Sequence, residues 1–107
     1  LIAQIEHINA VNNLEEILTV EGLDAIIVGP YDLSASMGIT GEFYSKEFID
    51  IMDNIMSLCN KHNVPCGDHV VQPDQKTLEK RIDQGFRFIA FGTDGVFMYI
   101  NCNNPRE

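Results

Sequence analysis

The sequence predicts an α/β fold with a parallel sheet, and three observations predict it. Short apolar runs, several of them bounded by glycine or proline, recur along the chain at 1–5, 24–28, 64–67 and 88–91. Each is followed by a segment whose apolar residues recur at helical spacing. The connections between them are short, and no low-complexity segment or linker interrupts the chain. Strand and helix alternating in this way imply parallel strands joined by right-handed crossovers.

The elements follow in order. Leu1 to Ile5 reads as a strand, and Val11, Leu14, Ile17 and Leu18 predict an amphipathic helix after it, stopped at Gly22. Asp24 to Val28 (DAIIV), bounded by Gly29 and Pro30, reads as a buried parallel strand. The string GPYDLSASMG, 29–38, reads as a loop. Phe48, Ile51, Met52, Ile55, Met56 and Leu58 predict a long helix with its stripe toward the core, ending between Asn60 and Asn63. Val64 to Gly67 is a brief strand candidate. Pro73 and Asp74 mark the start of a helix through Leu78 and Ile82, stopped by Gly85. Phe88 to Phe91 is the last strand, and Gly92, Thr93 and Asp94 open a helix carrying Val96, Phe97 and Ile100, which NCNNPRE ends. Met37, Met52, Met56 and Met98 are read as core or interface fillers.

Composition is that of a globular chain: 45% hydrophobic and 21% charged residues, with four prolines. A net charge of −9 offers no general attraction to phosphate backbones or anionic lipid, so neither nucleic acid nor a membrane is an expected partner. No apolar run approaches the roughly 20 residues of a membrane span, and Leu1 opens on a strand without a basic, signal-like region. Three scattered cysteines, Cys59, Cys66 and Cys102, fit reduced thiols in a cytoplasmic protein.

Ligands of parallel α/β proteins bind at the carboxyl ends of strands. Gln4 and Glu6 close the first strand, Asp32 follows the second, Asp68 and His69 follow the third, and Thr93 and Asp94 follow the fourth. Glu6 and Asp32 are separated by one strand–helix unit, so their strands are expected to be neighbours with both carboxylates at one mouth. Two hard oxygen ligands with room for water and substrate suit Mg²⁺ or Mn²⁺. From the residues alone, a helix-capping Glu6 and a turn-forming Asp32 remain open. Gly29 and Pro30 shape a tight turn after which the Tyr31 and Asp32 amides could hold a carboxylate; the same string also reads as a plain loop with Ser34 as a helix cap. His7 is directed away from Glu6 by strand alternation and is no substitute base. CGDH, 66–69, supplies two potential zinc ligands, short of a tetrahedral set. GTD, 92–94, has no Lys or Arg beside it to make a phosphate site, since Arg87 belongs at the opposite end of its strand.

The stretch QIEHINAVNNLEEILTVEGLDAIIVGPYDLSASMG, continued through Gly67 and GFRFIAFGTDGVFM, resembles the HpcH/HpaI family of aldolases over nearly the whole chain. The resemblance implies that 1–107 is a partial (β/α)8-barrel domain, about strands five to eight with their helices. A complete barrel has roughly 250 residues. It makes Glu6 and Asp32 metal ligands for Mg²⁺, Mn²⁺ or Co²⁺, Gln4 a substrate contact, and the Tyr31 and Asp32 backbone the seat of a pyruvate carboxylate. The implied activity is reversible cleavage of 4-hydroxy-2-oxo acids to pyruvate, or a similar 2-oxo acid, and an aldehyde. His69 stands near an apolar specificity position of the family, which implies substrate binding there and a more polar or acidic aldehyde. The family's histidine base and enolate-steadying arginine lie in the first half of its barrel, so both are expected upstream of Leu1, and no catalytic residue is expected within 1–107. Citrate lyase β relatives and a non-catalytic association fragment are the alternatives. Four strands cannot close a barrel, so an exposed inner face and two sheet edges are expected, covered by self-association into a homo-oligomer or by a further segment.

Overall fold

The computed structural model of the chain describes residues 1–103, 105 and 106. Four parallel strands, β1 (Ile2–Ile5), β2 (Ala25–Val28), β3 (Cys66–Val70) and β4 (Phe88–Phe91), form one sheet in chain order. Six helices connect or follow them: α1 (Ile8–Asn12), α2 (Leu14–Ile17), α3 (Pro30–Ser36), α4 (Lys46–His62), α5 (Gln75–Asp83) and α6 (Asp94–Asn101). The α/β class with a parallel sheet is as expected.

Strand register explains which residues meet. Ile5 pairs with Val28, Val28 with Asp68 and Asp68 with Ile89, so these four share one face. That face packs on the helices: Ile5, Ile26, Val28 and Cys66 form one cluster with Val11, Leu14, Leu33, Phe48, Ile55 and Cys59. The core therefore lies between β1–β3 and α1–α4. Full burial of each large side chain there contributes about 1.5–3 kcal/mol. Cover thins toward the other edge, because neither α5 nor α6 has a buried residue. On the opposite face run Ile2, Gln4, Ile27, Gly67, His69, Phe88 and Ala90, with Ile2 exposed and Ile27, Phe88 and Ala90 half-buried. The Phe88 ring lies over Gly67, where a Cβ would come within 2.4 Å of it.

Caps set the helix boundaries. Ser45 accepts from the Phe48 amide and starts α4, and Asn63, left-handed at φ 55°, ends it. Asp74 accepts from the Thr77 amide, and Thr93 from the Val96 amide. The first predicted helix is divided: Asn13, at φ −105° and ψ 13°, breaks it into α1 and α2 while its side chain donates to the Asn9 carbonyl. The final helix closes at Cys102; within NCNNPRE, Asn104 and Glu107 lie outside the described residues.

Two expectations are corrected. The 29–38 string is not a loop, for α3 occupies Pro30–Ser36. Gly29 is its N-cap and Pro30 stands in its first turn, where the missing N–H costs nothing and the fixed φ favours the helix. Ser34 is accordingly not a cap. It is buried within α3, donating to the Tyr31 carbonyl at 2.9 Å and accepting from the Gly41 amide at 3.0 Å. The third strand, expected at 64–67, runs from Cys66 to Val70, so Asp68 and His69 lie inside it and not after it. A carboxylate within a strand reads locally as its end. Here Asp68 is tolerated because Arg81 of α5 reaches it across the helix-facing side.

Candidate functional site

The carboxyl end of β1 is built on side-chain alternation. Gln4 is on the open face of β1, and Glu6, two residues on, continues on that side as the strand gives way to α1. Glu6 does not cap α1; His7 does, its Nδ1 accepting from the Asn9 amide at 3.1 Å, which also occupies the residue set aside as a base. The neighbouring strand continues the ladder one step beyond β2, with the Gly29 amide donating to the Ile5 carbonyl at 3.0 Å. Gly29 thus lies level with the space between Gln4 and Glu6.

The glycine is needed there for clearance. Its φ of −97° is open to any residue, so it does not serve a left-handed turn. A Cβ at this position would stand 3.0 Å from Gln4 Nε2, 3.1 Å from Glu6 Cβ and 3.4 Å from Glu6 Oε2. The amide of Gln4 and the carboxylate of Glu6 therefore converge over a bare backbone. Three residues further, exposed Asp32 stands in the first turn of α3, with no turn to make on its own account. Among the described residues, the side chains of Gln4, Glu6 and Asp32 have no hydrogen-bond or ion-pair partner. The structure brings Gln4 and Glu6 together beside Gly29, the N-cap of α3.

The other candidates fare differently. His69 lies on the same open face, half-buried, two strands away, with Nε2 3.2 Å from the Gly92 carbonyl oxygen. That carbonyl can only accept, so Nε2 carries the proton of the bond. No hydrogen bond joins His69 to Gln4, Glu6 or Asp32 among the described residues. Tyr31 is 42% exposed and packs edge-on against Phe43 at 4.9 Å. Asp68 belongs to the helix side. Arg81 Nε stands 2.6 Å from its Oδ2, so the two meet as an ion pair, and Oδ1 has no hydrogen-bond partner. Burial raises the Asp68 pKa above the ordinary carboxylate value despite the opposing pull of Arg81.

Alternation puts Cys66 and Asp68 on one face and His69 on the other, so CGDH forms no Cys–His half-site. Among the described residues no group of three or more His, Cys, Asp or Glu could hold a metal ion. Cys66 is buried, and the Cys59 thiol beside it together with desolvation pushes its pKa well up, away from nucleophilic use. In GTD, Thr93 caps α6 and Asp94 Oδ1 accepts from the Gly95 amide. A cavity of about 300 Å³ between α4 and α5, lined by Phe43, Met52, Lys80 and Arg81, reaches the carboxyl ends of β2 and β3 at Tyr31 and His69; Gln4, Glu6 and Asp32 do not line it.

The sequence model of the HpcH/HpaI aldolase/citrate lyase family matches residues 1–101. The chain belongs to that family. A 5-keto-4-deoxy-D-glucarate aldolase of Salmonella arizonae is 35% identical over 98 residues, covering 91% of this chain and 38% of the relative. A 4-hydroxy-2-oxovalerate aldolase of Novosphingobium aromaticivorans is 34% identical over 94 residues, 88% of this chain and 35% of the relative. The crystal structure of an HpcH/HpaI aldolase from Desulfitobacterium hafniense superposes with a TM-score of 0.84 at 27% identity, covering 92% of this chain and 38% of that one. This HpcH/HpaI chain thus spans well under half the length of the relatives it matches. Among the described residues no helix is long and apolar enough to cross a membrane.

The sequence pattern gives Ser34 only as a cap and does not point to Ser36 or Arg81. Arg81 carried no local signal, because its partner is set by strand register. The serines were legible in principle: Gly-Pro followed by an acid within one turn is a helix-start pattern, and it would have placed both inside a helix.

Proposed function

We propose that the protein carrying this chain is a divalent-metal-dependent aldolase that reversibly cleaves 4-hydroxy-2-oxo acids to pyruvate, or a similar 2-oxo acid, and an aldehyde. The observation that carries the reading is the convergence of Gln4 and Glu6 on Gly29 immediately ahead of Asp32, with both carboxylates unpartnered. Bare carboxylates beside a neutral amide donor, over a cradle that a single methyl group would fill, match the oxygen-ligand chemistry of Mg²⁺, Mn²⁺ or Co²⁺. The names of the two aldolase relatives point the same way.

In this reading Glu6 and Asp32 hold the cation, and the Gln4 amide orients a substrate oxygen. The Tyr31 and Asp32 amides, at the start of α3, receive the carboxylate of the 2-oxo acid. His69, its Nε2–H committed to Gly92, presents its remaining ring edge toward the aldehyde end. A bound divalent cation would supply Lewis acidity that stabilises the enolate formed as the carbon–carbon bond breaks. The four lysines, at 46, 61, 76 and 80, all lie on α4 and α5 and none on a strand, and this reading calls for no Schiff base from this chain. The proton-transferring base and a cationic partner for the enolate belong to the remainder of a (β/α)8 barrel, of which residues 1–107 form about strands five to eight. The open sheet face is then the barrel interior, and a homo-oligomeric, cytoplasmic enzyme is the expected form.

The test is Mn²⁺-dependent exchange of the pyruvate methyl protons with solvent by the full-length gene product. Exchange that disappears with chelator is expected; Mn²⁺ binding without exchange sinks the aldolase reading. The family's citrate lyase branch supports a second reading, carbon–carbon lysis on an acyl-CoA ester, and turnover of such an ester without exchange would select it.

A further inference from the structure

Glu6 and Asp32 sit on different elements, and two hydrogen bonds tie those elements together on either side of them. Before the pair, the Gly29 amide donates to the Ile5 carbonyl at 3.0 Å, one residue ahead of Glu6 and three ahead of Asp32. After the pair, the Ile8 amide donates to Ser36 Oγ at 2.9 Å, two residues beyond Glu6 and four beyond Asp32. The first bond is sheet ladder and would form with almost any side chains. The second depends on one hydroxyl.

Ser36 is suited to the task by its place at the end of α3. Its Oγ donates to the Leu33 carbonyl at 2.7 Å, a back-bond within the helix that fixes the hydroxyl's direction and leaves its lone pairs facing outward. Ile8 is the first residue of α1, and the amide of such a residue has no partner within its own helix. The α3 serine therefore satisfies an orphan donor of α1 and closes a ring running Ile5, Glu6, Ile8, Ser36, Asp32, Gly29. Ser34, two residues away, is spent differently, on the Gly41 amide.

The geometry points to Ser36 as a positioning residue for the metal pair: its hydroxyl sets the separation of Glu6 from Asp32 by holding the start of α1 against the end of α3. This rests on the metal-dependent reading above and names the part of the fold that keeps the two carboxylates in register. A coordination shell tolerates only about ±0.2 Å in ligand distances, so slack between the two elements is felt as lost affinity.

Mn²⁺ affinity, measured on the full-length protein by electron paramagnetic resonance without substrate, tests it from both ends of the bond. Ser36→Ala removes the acceptor. Ile8→Pro removes the donor along with some of the core packing of the Ile8 side chain, and the backbone accepts it: proline suits the first position of a helix, and His7, extended at φ −143° and ψ 142°, already has the backbone a preceding residue needs. Each change is expected to raise the Mn²⁺ Kd about tenfold, the lower end of what supporting contacts contribute to metal sites. The double variant is expected to be no weaker than either single one, because both delete the same bond. Ser36→Thr, which keeps the hydroxyl, should bind as the wild type does. Unchanged Kd in both single variants with only a lower melting temperature, or additive losses in the double variant, overturns the inference and leaves the metal site standing. Absence of Mn²⁺ binding in the wild type overturns both.

Discussion

Replacing Gly29 by alanine separates a metal-site role from a folding role, because its two effects on the chain nearly cancel. The backbone at φ −97° and ψ 92° accepts alanine, and a stiffer unfolded chain stabilises by about 0.4–1 kcal/mol. Against this, the new Cβ stands 3.1 Å from Glu6 Cβ, which must yield by a few tenths of an ångström. Displacing a side chain off its rotamer costs about 0.5–1.5 kcal/mol. The net change is near zero, a melting shift within about 2–4 °C for a protein of 150–250 residues. The site does not escape so lightly: Gln4 Nε2 at 3.0 Å and Glu6 Oε2 at 3.4 Å are both pushed outward. We expect a Mn²⁺ Kd raised about tenfold, or 1.4 kcal/mol, with melting almost unchanged. Gly67→Ala is the opposite case, since its Cβ would meet the Phe88 ring at 2.4 Å. It should lose about 1–3 kcal/mol of stability through overpacking and keep its metal affinity. Mn²⁺ titration beside thermal melting of both variants reads the contrast. A Gly29→Ala protein that melts and binds Mn²⁺ as the wild type does would refute the argument.

Four further outcomes follow from contacts described above. Glu6→Gln keeps the shape but removes an anionic ligand, and should weaken Mn²⁺ binding by more than the roughly 100-fold upper range of supporting contacts, measured by the same titration. Arg81→Ala leaves Asp68, 1% exposed, as an uncompensated buried carboxylate and should cost about 3–5 kcal/mol in denaturant unfolding; Asp68→Asn should cost less, since Arg81 keeps Gln84 at 2.8 Å and the Phe86 ring. Because burial raises the Asp68 pKa, the folded state binds its proton more tightly than the unfolded one. The stability this residue contributes is thus present below the ordinary value of 3.8 and lost as pH rises through the raised one, a slope that Asp68→Asn should flatten. Ser45→Ala removes the side-chain cap of the Phe48 amide and should cost about 1 kcal/mol by melting.

Periodicity made the four strands and the long helices legible before any coordinates, and it did so best where burial is greatest. Phe48, Met52, Ile55 and Cys59, the buried stripe of α4, include three of the six apolar positions that predict it. That the strands before Glu6 and Asp32 are neighbours was legible as well, since strands joined by one short crossover usually pair, as β1 and β2 do. Register was not legible. Whether Asp68 ends β3 or lies within it depends on pairing with Val28 and on Arg81, thirteen residues away across a helix. The same limit applies to α3, where Pro30 looked like a turn former until its position after Gly29 placed it in a first helical turn. The sequence by itself determined the class of fold and which candidate residues stand near strand ends, because composition and spacing are local. Only the tertiary structure decided that Gly29 is bare to leave room for Gln4 and Glu6, and that Ser36 meets Ile8, because both are contacts between elements that no local pattern encodes.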